Sequence, residues 1–316
     1  MRYAIFGATG GVGKELAKLL AAENVEFRVV GRSEAKLREE FAEHEPYVEY
    51  CGADLSKPED AARAAEGVET VFYLVGQPYT DFAKHPVVTG VSLKACADAG
   101  VRHFVLQGTL YAYGRRQAER ITEDHPREPH TFKGKKRKEQ EDLVLAANTD
   151  DGMKTLILCA PDFYGGDSEL SHTYRIFQAA TNGGTGDVIG PLDVPHEFVY
   201  VPDLADTLLK LSKKEEAYGK RWNLAGIGLL TFRQFAEKTF ALEGRKPKLR
   251  SAGKFVLRLI GLFNPMMREF VEMDYLMTEP LYVDDTRLHG LVPDLKKTTY
   301  DDGIRATLEM MKDQSN

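Results

Sequence analysis

The amino-acid order predicts a doubly wound α/β fold, a parallel sheet with helices on both faces, followed by a smaller, mostly helical C-terminal part. Two observations predict the sheet. Short apolar runs alternate with helical stretches through roughly the first half of the chain, the pattern of consecutive βαβ units. One run, residues 71–75 (VFYLV), is apolar without alternation, as suits a strand covered on both faces. A third observation predicts the helical part: residues 232–311 turn to helical stretches rich in Met, Phe and Leu.

Taken in order, residues 2–6 (RYAIF) read as the first strand and 14–22 (KELAKLLAA) as an amphipathic helix. Between them stand Gly7, Gly10 and Gly13 at spacing G-x-x-G-x-x-G, with Ala8, Thr9, Gly11 and Val12 filling the turn. Glycines permit a tight turn and close approach of backbone to phosphate. The helix N-terminus adds unpaired N–H groups and a partial positive charge, so this arrangement suits a dinucleotide pyrophosphate. Residues 27–30 form the second strand, ending at Gly31-Arg32-Ser33. An acid near this point would take the ribose 2′-hydroxyl of NAD. Arg32 stands there instead, and a guanidinium complements the 2′-phosphate of NADP, which is therefore preferred over NAD. Ser33 is placed to cap the helix over 33–43, and Ser56 the helix over 58–65. Strands over 48–51 and 103–106 and a helix over 87–100 continue the alternation. The turns at Gly7, Arg32, Asp54, Gly76 and Thr109 then share the carboxyl edge of the sheet, where ligands bind in such folds.

Composition bounds the function. A net charge of -6 argues against general nucleic-acid binding. The three cysteines, Cys51, Cys96 and Cys159, are far apart, without metal-ligand spacing, which favours a reducing cytoplasm. No signal peptide is visible and no run has the length of a membrane span. Residues 255–263 (FVLRLIGLF) are too short to cross and read as a buried or cleft-lining helix rather than a membrane-surface one. The expected partner is a small-molecule substrate, with no nucleic acid and no membrane, for a monomer or homodimer.

Over nearly its full length the chain resembles the extended or atypical short-chain dehydrogenases/reductases, the NAD-dependent epimerase/dehydratase family, with a Rossmann-type cofactor domain. Gly7 to Gly13 match its cofactor turn, Asp54-Leu55 its adenine-side D-L, and Leu74-Val75-Gly76 its apolar-small segment beside the cofactor. Thr109-Leu110-Tyr111-Ala112-Tyr113-Gly114 is similar to S-x-x-V-Y-G, which implies Thr109 at the catalytic serine position. Residues 196–205 (HEFVYVPDLA) are similar to R-D-F-V-x-V-x-D-L-A. The resemblance implies a cofactor domain over 1–160, completed by about 197–225, and a substrate part over 161–196 and 226–316.

The catalytic pair departs from the pattern. The family uses Y-x-x-x-K, spaced so that both side chains share a helix face. The matching stretch here is Lys133-Gly134-Lys135-Lys136-Arg137, giving K-x-x-x-R. Three readings stay open. Lys133 is itself the acid/base, its charged form disfavoured beside Arg137 and a bound cofactor, as in the similar pair of the isoflavone-reductase-like branch. Alternatively Tyr111 or Tyr113 supplies the phenol. Alternatively nothing turns over and the chain senses nucleotide state. Thr109 would hydrogen-bond a substrate oxygen, or merely cap a turn. The basic run 133–138 is otherwise a solvated face.

In the second half, residues 155–159 read as a strand, with Pro161 and Phe163 bordering the nicotinamide. His196 reads as structural or substrate-contacting, since nothing is spaced to share a metal with it. The stretch 183–186 (GGTG) is a candidate lid element. Met266, Met267, Met273 and Met277 suggest an apolar lining, and with it an apolar or aromatic substrate rather than a sugar nucleotide. The leading expectation is an NADP-dependent oxidoreductase moving hydride to or from a small carbonyl or enone. An epimerase or dehydratase is the runner-up.

Overall fold

The computed structural model describes residues 2–169 and 171–313. The predicted alternation is present. β1 (Tyr3–Phe6), α1 (Gly11–Ala22), β2 (Phe27–Gly31), α2 (Glu34–Phe41), β3 (Val48–Gly52), α3 (Pro58–Ala65), β4 (Thr70–Tyr73), α4 (Lys84–Asp98) and β5 (His103–Thr109) follow one another. They lead into α5 (Phe132–Ala146) and β6 (Lys154–Ala160). After an excursion through β7 (Asp162–Tyr164), α6 (Tyr174–Asn182), β8 (Gly186–Ile189), β9 (Pro195–Tyr200) and α7 (Val201–Ser212), the chain returns as β10 (Arg221–Asn223). The seven strands β10-β6-β5-β4-β1-β2-β3 make one all-parallel sheet. The order reverses beside β1, so the crevice for a ligand opens above its carboxyl end.

Alternation of side chains along each strand feeds two cores. Ile5, Val29, Phe72 and Leu158 pack against α1 and α7 through Leu16, Leu20, Leu204 and Leu208. Phe6, Tyr73, Phe104 and Ile157 pack on the other face against α3, α4 and α5 through Ala61, Leu93, Cys96 and Val144. A third, aromatic core of Tyr164, Phe177, Phe198, Phe232 and Phe235 builds the smaller part. There β11 (Leu229–Thr231), α8 (Phe232–Leu242), β12 (Leu249–Ala252), α9 (Lys254–Gly261), α10 (Pro265–Thr278), α11 (Thr286–Leu291) and α12 (Tyr300–Asp313) follow. β11, β9 and β7 form one small sheet, β12 and β8 another.

Several local expectations change. Helix α1 begins at Gly11 rather than at 14, so two of the turn's glycines lie in its first helical turn. Ser33 does cap α2, accepting from the Lys36 N–H at 3.3 Å. Ser56 does not cap α3: its N–H and hydroxyl both donate to Asp54, and Lys57 precedes Pro58 at the helix start. The 183–186 stretch, a candidate lid element, is a tight connection. Gly183 ends α6 with φ +76° and Gly186 pairs with Leu249, so the glycines serve a helix-to-strand turn. Met273 and Met277 are core residues, and Met266 is exposed. The 255–263 stretch is neither buried nor cleft-lining: Phe255, Leu259, Leu262 and Phe263 are at least half exposed.

Candidate functional site

The glycine turn joins β1 to α1. Gly7 has φ +85°, and a Cβ there would meet the Leu74 carbonyl carbon at 3.0 Å, so only glycine fits. A Cβ on Gly13 would lie 2.3 Å from the Ala8 carbonyl oxygen. That glycine lets helix and strand approach. One on Gly11 would lie 2.6 Å from Ser168 Oγ. The segment carrying Ser168 therefore packs against the turn, and Asp167 beside it ion-pairs with Lys14. Gly10 differs. Its φ of −79° suits any residue, and a Cβ there meets nothing nearer than the Gly7 oxygen at 3.7 Å. Across the crevice Gly76 has open space as well. Nothing within the chain requires glycine at these two positions, which leave room for a ligand. Gly10 is also the N-cap of α1 and offers no side chain to the first N–H groups of the helix. The turn therefore fits a dinucleotide pyrophosphate.

Around it stand the other expected contacts. Thr9 is half-buried in the turn. Arg32 follows β2, is exposed, and has no ion-pair or hydrogen-bond partner for its side chain among the described residues. Asp54 lies past the end of β3, where the Ser56 hydroxyl and N–H hold its carboxyl below the usual range. Leu55 packs into the core, whereas Leu74 and Val75 are half-buried behind Gly7.

At the end of β5 Thr109 does two things. Its hydroxyl accepts from the Tyr111 N–H at 3.4 Å, capping the turn over Leu110–Tyr113, and from Arg137 Nε at 3.3 Å. Thr131 caps α5, which carries Arg137 and Lys133 on one face. The Arg137 fork is spent inside the protein: Nη1 meets His85 Nδ1 at 3.1 Å and Nη2 donates to the Gln107 carbonyl at 3.4 Å. Burial, and then the charge of Arg137, push His85 down to about 2, so it stands neutral. Lys133 is fully enclosed. Its ammonium donates to Glu269 at 2.5 Å and Glu272 at 2.9 Å, both on α10, and lies 5.5 Å from the Tyr79 ring centroid. The Lys133 N–H donates to Glu272 as well.

A cavity of about 90 Å³ lies beside this cluster. Thr109, Tyr111, Pro161, Asp162, Phe163, His196, Glu197 and Leu276 contribute to its wall, which contains no lysine or arginine. Thr109, Pro161 and Phe163 thus come together as the sequence suggests, while Lys133 stands outside the cavity under α10. Tyr111 joins the wall, its hydroxyl 2.6 Å from that of Tyr79, and burial raises both phenols. Tyr113 is not part of the site. It is fully buried under the Arg221 guanidinium and donates to Asn223 Oδ1 at 2.7 Å, because Ala112 and Tyr113 turn into the core where Thr109 and Tyr111 face the crevice. His196 Nε2 is buried with no hydrogen-bond partner among the described residues. Burial pushes the Glu197 carboxyl up to about 7, although the Val283 N–H donates to it. Glu197, His85, Tyr79, Glu269 and Glu272 escaped the sequence reading. Glu269 and Glu272 carried a signal, two acids three apart on one helix, and Glu197 stands at the acid of the 196–205 stretch.

A family model described as NAD(P)H-binding matches residues 7–188. The probable dTDP-4,6-dihydroxy-2-methyloxan-3-one 4-ketoreductase of Streptomyces antibioticus is 22% identical over 258 residues, 78% of this chain and 79% of that protein. Among solved structures, the UDP-glucuronic acid 4-epimerase of Bacillus cereus in complex with NAD superposes with a TM-score of 0.80 at 16% identity, covering all of both chains. The dTDP-glucose 4,6-dehydratase of Bacillus anthracis in complex with NAD superposes at 0.82 and 12%, covering 99% of this chain and 97% of that one. At such identities the likeness is one of fold.

Proposed function

The chain belongs to the NAD(P)H-binding family, with the fold of the short-chain epimerases and dehydratases, and from that premise we propose that it is an NADP-dependent reductase of a small carbonyl or enone; the methionines that suggested an apolar or aromatic substrate do not line the cavity. The observation that carries the cofactor reading is the cradle itself. Gly10 and Gly76 are glycine without an internal reason, and Arg32 is an unpaired cation at the ribose end. NAD in the two solved relatives does not bear on Arg32, which belongs to this chain. The wall of the cavity holds no lysine or arginine to meet a diphosphate, and the Streptomyces relative, named for a dTDP-linked substrate, bears a ketoreductase name.

The dinucleotide, when bound, supplies or accepts the hydride. Thr109 Oγ1 orients the substrate oxygen, with Arg137 Nε fixing that hydroxyl. Lys133 is the proton donor in this reading. It reaches the cavity only when Glu269 and Glu272 release its ammonium, so α10 moves in each cycle. Lys133→Ala is expected to abolish NADPH oxidation over a panel of aromatic ketones and enones while leaving NADPH binding measurable; unchanged turnover would sink lysine catalysis. One observation favours a second reading, a non-catalytic NADP sensor: both charged groups of the K-x-x-x-R pair are held by protein partners. Different affinities for NADP and NADPH, with no turnover on the panel, would select it.

A further inference from the structure

Helix α9 and the turn after it leave an apolar face with no cover. Leu257 and Gly261 pack inward, while Phe255, Val256, Leu259, Ile260, Leu262, Phe263 and Met266 face solvent, Leu262 at 75% and Phe263 at 91% exposure. Contiguous exposed apolar residues mark a surface that meets something. The chain segment that carries them is one-sided in charge. Residues 245–268 contain Arg245, Lys246, Lys248, Arg250, Lys254, Arg258 and Arg268 and no acid, so all 48 acidic residues lie elsewhere in a chain of net charge -6. Arg250 is paired with Asp187, Lys254 approaches Asp274 at 3.6 Å, and Arg245 is bonded to backbone carbonyls. Lys246, Lys248, Arg258 and Arg268 have no ion-pair partner among the described residues.

We infer that this face docks on an anionic phospholipid surface. Exposed Phe and Leu side chains, flanked along the chain by unpaired Lys and Arg, are what such a surface selects. No helix of the described residues is long and apolar enough to cross a membrane, so the contact is peripheral. A second copy is the poorer occupant, because a two-fold contact would set the same unpaired cations against each other. The acid-rich remainder of the chain repels an anionic leaflet and so orients the molecule with α9 toward it. The inference stands apart from the reaction proposed above.

The test is co-sedimentation of the full chain with phosphatidylcholine vesicles, with and without phosphatidylglycerol. Binding is expected with phosphatidylglycerol only and is expected to fall as salt rises. Leu262→Ser with Phe263→Ser is expected to remove it with thermal stability unchanged, since neither side chain is packed. Arg258→Glu, a two-charge reversal, is expected to weaken it about 30-fold. Absence of binding to either vesicle overturns the inference, as does binding that ignores these substitutions. A concentration-dependent dimer dispersed by Leu262→Ser and Phe263→Ser would overturn it in favour of a second copy.

Discussion

Two single residues can be tested one at a time, Arg32 for the proposed cofactor preference and Glu197 for stability. Arg32→Asp is expected to weaken NADP binding by 10-fold or more, about 1.4 kcal/mol, and NAD binding far less. Isothermal titration with both cofactors reads this, and an equal loss for both would remove the 2′-phosphate reading. Glu197 affects stability. Its carboxyl titrates near 7 when folded, against 4.5 ordinarily, because burial disfavours the charged form. The folded chain then holds a proton that the unfolded chain has lost, so this contribution is complete below about pH 4.5 and disappears as pH rises through 7. It amounts to about 3 kcal/mol at most. His85, pushed down to about 2, acts with the opposite sign: its contribution is present above about 6.5 and lost as pH falls. The two contributions overlap with opposite sign between about pH 4.5 and 6.5, so denaturant titrations from about pH 5 to 8 isolate the first only by comparing the chain with its Glu197→Gln variant. Glu197→Gln is expected to remove the fall in stability between about pH 4.5 and 7 and to leave the slope above 7 alone.

At the scale of elements, the glycine turn divides into positions where the fold itself requires glycine and a position, Gly10, where it does not. Gly13→Ala drives a Cβ into the Ala8 carbonyl and is expected to lower the melting temperature and cofactor affinity together. Gly10→Ala meets nothing inside the chain and is expected to keep the melting temperature while losing affinity. Thermal melts with and without NADPH separate the two. Much of this level was legible in the sequence, because it is local: the strand-turn-helix at residues 2–22, the Ser33 cap and the continuous apolar run of β4 are each set by neighbouring residues. The clasp on Lys133 was not legible, since its partners lie 136 and 139 positions away. Tyr113 was misplaced because S-x-x-V-Y-G gives a spacing and not the direction in which a turn throws its side chains. The 255–263 stretch was misread for a related reason. Its composition is that of a core helix, and only packing shows that α9 turns this face outward.

At the scale of the whole molecule, α10 is joined to α5 by a buried charge cluster as well as by apolar contacts. Removing both carboxylates with Glu269→Ala and Glu272→Ala leaves the Lys133 ammonium buried and unpaired. The expected loss is about 3–5 kcal/mol, read by denaturant unfolding. Adding Lys133→Met to that variant is expected to restore most of it, because an apolar chain needs no partner there.

The return of β10 to the sheet has a consequence in time. Until Arg221 to Asn223 leave the ribosome, β6 is a free edge with its backbone groups unpaired. Glu141, fully buried in the finished protein, meanwhile lacks one of the two arginines that flank it at 3.0 Å. The nascent chain must therefore carry an open, apolar β-edge through the synthesis of some sixty residues, a window in which sticking to other chains competes with folding. A polypeptide halted at residue 188, where the NAD(P)H-binding match ends, is expected to collect in inclusion bodies, while one carried past α12 is recovered in the supernatant.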